Sequence, residues 1–279
     1  MASKYHVRKD FSSVSEIAEL PLPTRSVNKV HWSRTSKYKD NICGGGWWGP
    51  NQESVEDVIS YSKGGWSWGA EKISEMADEI SIPILANVKR RLTKGPEGDY
   101  LDIHQVYRGN ISTAWTKKRR KAGSGPKRFQ LLTKLGANCS VKGEVLFWRG
   151  VAMAALAKSI VEAGHAVEII GHSTVQDVFT NGRKRVSSSE VVTIKLKEFG
   201  MPLDLENLAV TACLAGFYRY FLFLIRLTHK GLDAAGGLGY DVHELPKIES
   251  GSAKQIEVPA SIGSKADVEK FLSEITDKL

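Results

Sequence analysis

Cysteine is scarce: Cys43, Cys139 and Cys213 are an odd number and form no Cys-x-x-Cys pair. That excludes a disulfide framework, offers no thiolate zinc site, and fits a reducing cytoplasm. The motifs that announce catalysis are missing too. There is no His-Glu-x-x-His, no Gly-x-Ser-x-Gly, no phosphate loop ending in Gly-Lys-Ser/Thr, and no Gly-x-Gly-x-x-Gly after a strand. The run Gly236-Gly237-Leu238-Gly239 lacks the lysine that would follow a phosphate cradle, and His104, His165 and His172 are scattered singly. No enzyme is expected. A long uncharged apolar run is also wanting. The most apolar stretch, residues 208–227, carries Arg219 and Arg226 inside it, which favours a buried helix over a membrane span. The opening Met-Ala-Ser-Lys-Tyr-His is polar and gives no secretory signal. Finally, acidic residues are outnumbered, 31 against 39 Lys and Arg, for a formal charge of +8 and a pI near 9.3. Such a balance points to a polyanionic partner, with plain solubility as the competing explanation.

The 279 residues suffice for one large α/β domain or for a medium domain with an extension. Residues 1–40 are polar and basic and read as an arm. A glycine-rich aromatic loop, Gly44-Gly45-Gly46-Trp47-Trp48-Gly49-Pro50, precedes a short helix over 54–63. Gly64-Gly65-Trp66-Ser67-Trp68-Gly69 then breaks the chain before an amphipathic helix over 70–80, on which Ile73, Met76, Ala77 and Ile80 recur at helical spacing. From Phe129 the pattern changes. A strand over 129–135, a long apolar helix over 143–163 and a buried strand over 166–171 give a βαβ unit. Residues 189–199 alternate Val192, Ile194 and Leu196 with Thr193, Lys195 and Lys197, as an edge strand paired antiparallel would. Asp204 caps a helix to about 215, a last strand covers 255–258, and a helix closes the chain over 265–279. The expectation is an α/β fold, a doubly wound and mainly parallel sheet over residues 128–279, preceded by a mostly helical extension over 1–127.

Two basic clusters stand out in that extension. Lys89, Arg90 and Arg91 form the first; Lys117, Lys118, Arg119, Arg120 and Lys121, followed by Lys127 and Arg128, form the second. Gly123-Ser124-Gly125-Pro126 beside the second cluster predicts a mobile solvated loop. Lysine and arginine bind phosphates by releasing counterions, while aromatic faces stack on unpaired bases. Trp115 precedes the cluster and Phe129 follows it, so single-stranded nucleic acid is the partner these residues favour. The competing reading is a wetted charge run with an incidental Trp. Arg183, Lys184 and Arg185 are a weaker phosphate-binding candidate. Trp47, Trp48, Trp66 and Trp68 would serve either as a stacking platform or as a plug for the core. The aromatic run at Phe217, Tyr218, Tyr220, Phe221 and Phe223 reads chiefly as core, with a protein-docking face as the alternative.

Three segments taken together resemble von Willebrand factor A domains: Phe129-Gln-Leu-Leu-Thr-Lys-Leu-Gly-Ala-Asn-Cys-Ser-Val, Trp148-Arg149-Gly150-Val151-Ala152, and Glu162-Ala163-Gly164-His165-Ala166-Val167-Glu168-Ile169-Ile170. The whole chain resembles a branch of that superfamily found mostly in bacteriophages. The resemblance implies a first strand, a metal loop, a first helix and a second strand in that order. Where metal-binding members have Asp-x-Ser-x-Ser, this chain has Gly136, Asn138 and Ser140. Without the leading carboxylate a divalent cation loses its main charge compensation, so neither metal nor cofactor is expected. Asn138 and Ser140 would instead cap the helix. Size, basicity and the phage likeness also resemble the single-stranded-DNA-binding transcription accessory factors of short-tailed phages. That implies single-stranded DNA and a phage RNA polymerase as partners in the host cytoplasm, with a protein-docking scaffold as the alternative.

Overall fold

The computed structural model describes residues 4–20, 55–80, 91–98, 100–119, 126–137, 141–181, 184–228 and 248–276. Five strands make the main sheet: β1 (Lys4–Phe11), β5 (Arg128–Lys134), β6 (Ala166–Asn181), β7 (Lys184–Lys197) and β8 (Lys254–Val258). Their order is β1-β7-β6-β5-β8, and only the β6–β7 hairpin is antiparallel. Three further strands, β2 (Arg91–Gly95), β3 (Tyr100–Leu101) and β4 (Trp115–Arg119), form a separate small sheet.

The two faces of the main sheet differ because its strands alternate. Phe129, Leu131, Val167, Ile169, Val192, Ile194, Ile256 and Val258 point into one large apolar cluster. That cluster also takes side chains from α1 (Val14–Ala18), α2 (Val55–Gly64), α3 (Ser67–Ile80), α5 (Gly143–Glu162), the bent pair α6 (Leu205–Cys213) and α7 (Ala215–Arg226), and α8 (Lys265–Thr276). The opposite face mixes polar residues with the buried Leu132, Ile170 and Val191. Gln255 donates to Gln130 at 2.8 Å, and Gln130 donates to Glu168 at 2.8 Å, a ladder across three strands. Two rows further along, Lys134, His172, Thr193 and Asp10 stand in register across four strands, and the Thr193 hydroxyl donates to the Asp10 carboxylate. A doubly wound sheet would carry helices on both faces; the described core helices join one.

Helix α5 is the centre of the apolar layer. Its alanines, Ala152, Ala154, Ala155 and Ala157, favour helix and let neighbours approach closely. Gly150 faces Ala212 and Cys213 of α6 so closely that a Cβ there would lie 1.8 Å from the Cys213 sulfur and 3.1 Å from the Ala212 backbone. Gly164, at φ +77°, ends the helix. Asp204 caps α6 as expected, accepting from the Asn207 N–H at 3.0 Å. The apolar stretch that follows is buried helix, broken at Leu214 with a bend of 65°. No single helix among the described residues is long and apolar enough to cross a membrane.

Several expectations need correction. Residues 4–11, expected in a polar arm, pair in parallel with Ser187–Ile194 of β7 and complete the sheet. Strand β7 is therefore covered on both sides and is not an edge. Strand β6 runs ten residues past its predicted end, to Asn181. The shared core draws on α1, α2 and α3 as well as on elements after residue 128.

Candidate nucleic-acid interface

The basic residues divide by what their charges touch. Inside the protein, cations are consumed by backbone carbonyls. Arg149, 2% exposed, donates to Lys134 O at 2.7 Å, Gly136 O at 3.0 Å and Ala260 O at 3.4 Å, tying together the carboxyl ends of β5 and β8. Arg219 donates to Val141 O at 2.7 Å, and Lys197 to Val167 O at 2.8 Å. Arg226, wholly buried, donates to the Ser173 hydroxyl at 2.6 Å. Burial lowers the Lys197 pKa, and it pushes His172 down to about 4, helped by the neighbouring Lys134 and Arg149 charges. These groups hold the fold and are closed to an outside phosphate.

The small sheet is different. Strand β4, expected on a mobile loop, pairs antiparallel with β2, so that Arg91 stands opposite Arg119, Leu92 opposite Lys118, Thr93 opposite Lys117 and Lys94 opposite Thr116. Two clusters more than twenty residues apart in sequence thus meet on one ribbon. In the register of the ribbon, Arg91, Lys117 and Arg119 fall on the same set of alternate positions as the half-buried Trp115, and Lys94 and Lys118 on the intervening set. Strand β3 flanks β4 on its far side, with Tyr100 opposite Thr116 and Leu101 opposite Trp115. The ladder continues into α4 (Ile103–Tyr107): the Asp102 N–H donates to Ala114 O at 2.7 Å, and the Asp102 carboxylate accepts from the His104 N–H at 3.1 Å.

This unit has almost no interior. Among its described side chains only Ala114 is buried, while Tyr100, Leu101, Ile103, Val106, Tyr107 and Ile111 are exposed. Sequence reasoning missed this surface, because aromatic and aliphatic residues at helical or strand spacing ordinarily go inside.

The other candidates fall elsewhere. Lys127 and Arg128 are exposed at the amino end of β5 on the main sheet, where Arg128 lies 4.9 Å from the centre of the Phe199 ring. Phe129 is 1% exposed against His165, which removes it as a stacking residue. Trp66 is 1% exposed in the core, the plug alternative, whereas Trp68 beside it is exposed. The run from Phe217 to Phe223 is core. Lys184 and Arg185 sit at the tip of the β6–β7 hairpin. Lys89, Arg90, Arg120, Lys121, Asn138, Ser140, Arg183, Trp47 and Trp48 lie outside the described residues. Helix α5 begins at Lys142 with no side-chain cap bond. A cavity of about 320 Å³ opens at the carboxyl ends of β5 and β8, lined by Lys134, Glu257, Pro259, Ala260 and Ser261.

These features define a mixed α/β protein with a five-stranded, mostly parallel sheet, flanking helices and a basic three-stranded ribbon. Residues 4–279 match the family described as a domain of unknown function, DUF7192, and the chain belongs to that family. No curated protein and no solved structure matches it.

Proposed function

We propose that this protein binds single-stranded DNA, without catalysing a reaction, as an accessory factor that brings a phage RNA polymerase to its promoters. The observation that carries the binding reading is the pairing of Arg91–Gly95 with Trp115–Arg119, which gathers Arg91, Lys94, Lys117, Lys118 and Arg119 on the ribbon that holds Trp115. Five basic residues on one short ribbon favour a polyanionic partner over a neutral one. The transcription role and the host cytoplasm rest on the phage resemblance. The von Willebrand A-like scaffold rests on the succession β5, α5, β6, which is the order the resemblance implies. A site without metal is supported by the Arg149 cation held at Gly136 O, since a divalent ion there would meet like charge.

The test is titration with single-stranded and duplex oligonucleotides at several salt concentrations, followed by tryptophan fluorescence. The single strand is expected to bind more tightly, with a slope of log affinity against log salt near −3.5 if about five phosphates are neutralised. Changing Lys117, Lys118, Arg119, Arg120 and Lys121 together to Ala is expected to weaken binding at least about tenfold without unfolding. Unchanged affinity in that variant would remove the site assignment. No binding of either form at low salt leaves the second reading, a protein-docking scaffold, which the exposed Ile103 and Ile111 favour.

A further inference from the structure

We infer that Tyr100 and Tyr107 are the rings on which unpaired bases stack, so that a bound strand leaves the basic ribbon and crosses α4. This rests on the single-strand reading above and adds to it the residues that distinguish a single strand from a duplex.

Tyr107 is 84% exposed and Tyr100 57%, against 37% for Trp68, the next most exposed large aromatic among the described residues. Both rings belong to the unit that carries the basic ribbon. Tyr100 is opposite Thr116, one residue from both Trp115 and Lys117, and Lys94 is opposite the same Thr116 across the ribbon. Tyr107 ends a helix that starts from the ribbon's own ladder, with Arg108 following it and His104 one turn before it. Five helical residues advance about 7 to 8 Å, so Tyr107 stays close to the end of the ribbon.

Charge agrees with this placement. From Ile103 to Arg119 the chain has no acidic residue, and the Asp102 carboxylate at the start of α4 is taken up by the helix amides it caps. Burial points the same way. Among the described side chains of this three-stranded unit and its five-residue helix only Ala114 is buried, and both tyrosines stand at the surface. An exposed ring near phosphate-binding cations suits any base, because every base has a π-face, and such stacking tolerates sequence. In a duplex the bases are already stacked on one another, so the tyrosines add affinity for the single strand alone.

The experiment uses the full chain with Tyr100→Ala, Tyr107→Ala, the double variant and the corresponding Phe variants. Probes are oligothymidylate and a duplex of equal length, followed by fluorescence anisotropy at several salt concentrations. Circular dichroism checks the fold of each variant. Each Ala variant is expected to bind oligothymidylate at least about fivefold more weakly, and each Phe variant to stay within about twofold. The salt slope and the duplex affinity stay unchanged, since phosphate contacts remain. Ala variants that bind like the unsubstituted protein, while the basic-cluster variant loses binding, overturn the stacking inference and leave the single-strand reading standing; the tyrosine face then belongs to a protein partner. Phe variants that fail as badly as Ala also overturn it, because the ring would not be the recognised group. An unsubstituted protein that binds no single strand at low salt removes both.

Discussion

At the scale of single residues, the polar row of the main sheet carries the clearest consequence. His172 is 2% exposed, and neither ring nitrogen has a hydrogen-bond partner among the described residues. Burial, with Lys134 and Arg149 nearby, holds its pKa at about 4, so the folded protein keeps it neutral where an unfolded chain would protonate it near 6.5. The stability tied to this group is full above about pH 6.5 and declines toward about pH 4, by up to roughly 3 kcal/mol. Urea midpoints measured across that window should fall with pH, and His172→Leu should flatten the fall. A midpoint that varies equally in both proteins would assign the acid sensitivity elsewhere. Cys213 belongs to the same scale. Complete burial raises its thiol far above the usual range, so thiol reagents should modify it only at the rate at which the protein opens.

At the scale of elements, the contact between α5 and α6 depends on a missing side chain. Gly150→Ala would drive a methyl into Cys213 and the Ala212 backbone, and one of the two helices must shift. The expected loss is about 1 to 3 kcal/mol by thermal or urea unfolding, against the modest gain a glycine-to-alanine change brings in an open helix. Gly64→Ala, which meets nothing within 4 Å, is the control. The same element scale explains what could be read from the sequence. Helices α3 and α8 and the alternating part of β7 announce themselves because one local period decides their burial, while β5 and α5 do so through runs buried at consecutive positions. Strand β1 does not, since Lys4, His6, Arg8, Lys9 and Asp10 outweigh its few apolar residues, and only its partner β7 stabilises it as strand. The basic clusters were visible as composition, but their meeting was not. The pairing of Arg91 with Arg119 is a non-local event that no local periodicity encodes. Nor does a sequence distinguish an outward Tyr107 from an inward Tyr218, which is 2% exposed.

At the scale of the whole molecule, stability is unevenly distributed. The main sheet and its helices share one large apolar cluster, whereas the ribbon unit buries Ala114 alone among its described side chains. Hydrogen exchange should therefore run orders of magnitude faster at the amides of β2 and β4 than at those of β5 and β6, and added oligothymidylate should slow the first set selectively. Uniform protection in the free protein would contradict that division. The parallel seating of β1 has a different consequence, in time. Lys4 pairs with Ser187 and Phe11 with Ile194, so during synthesis at about 5–20 residues per second the strand waits on the order of 10 to 40 seconds for its partner. Throughout that interval β1 has no partner strand, so the ribosome-bound chain, more than the finished protein, is the form that chaperones must guard.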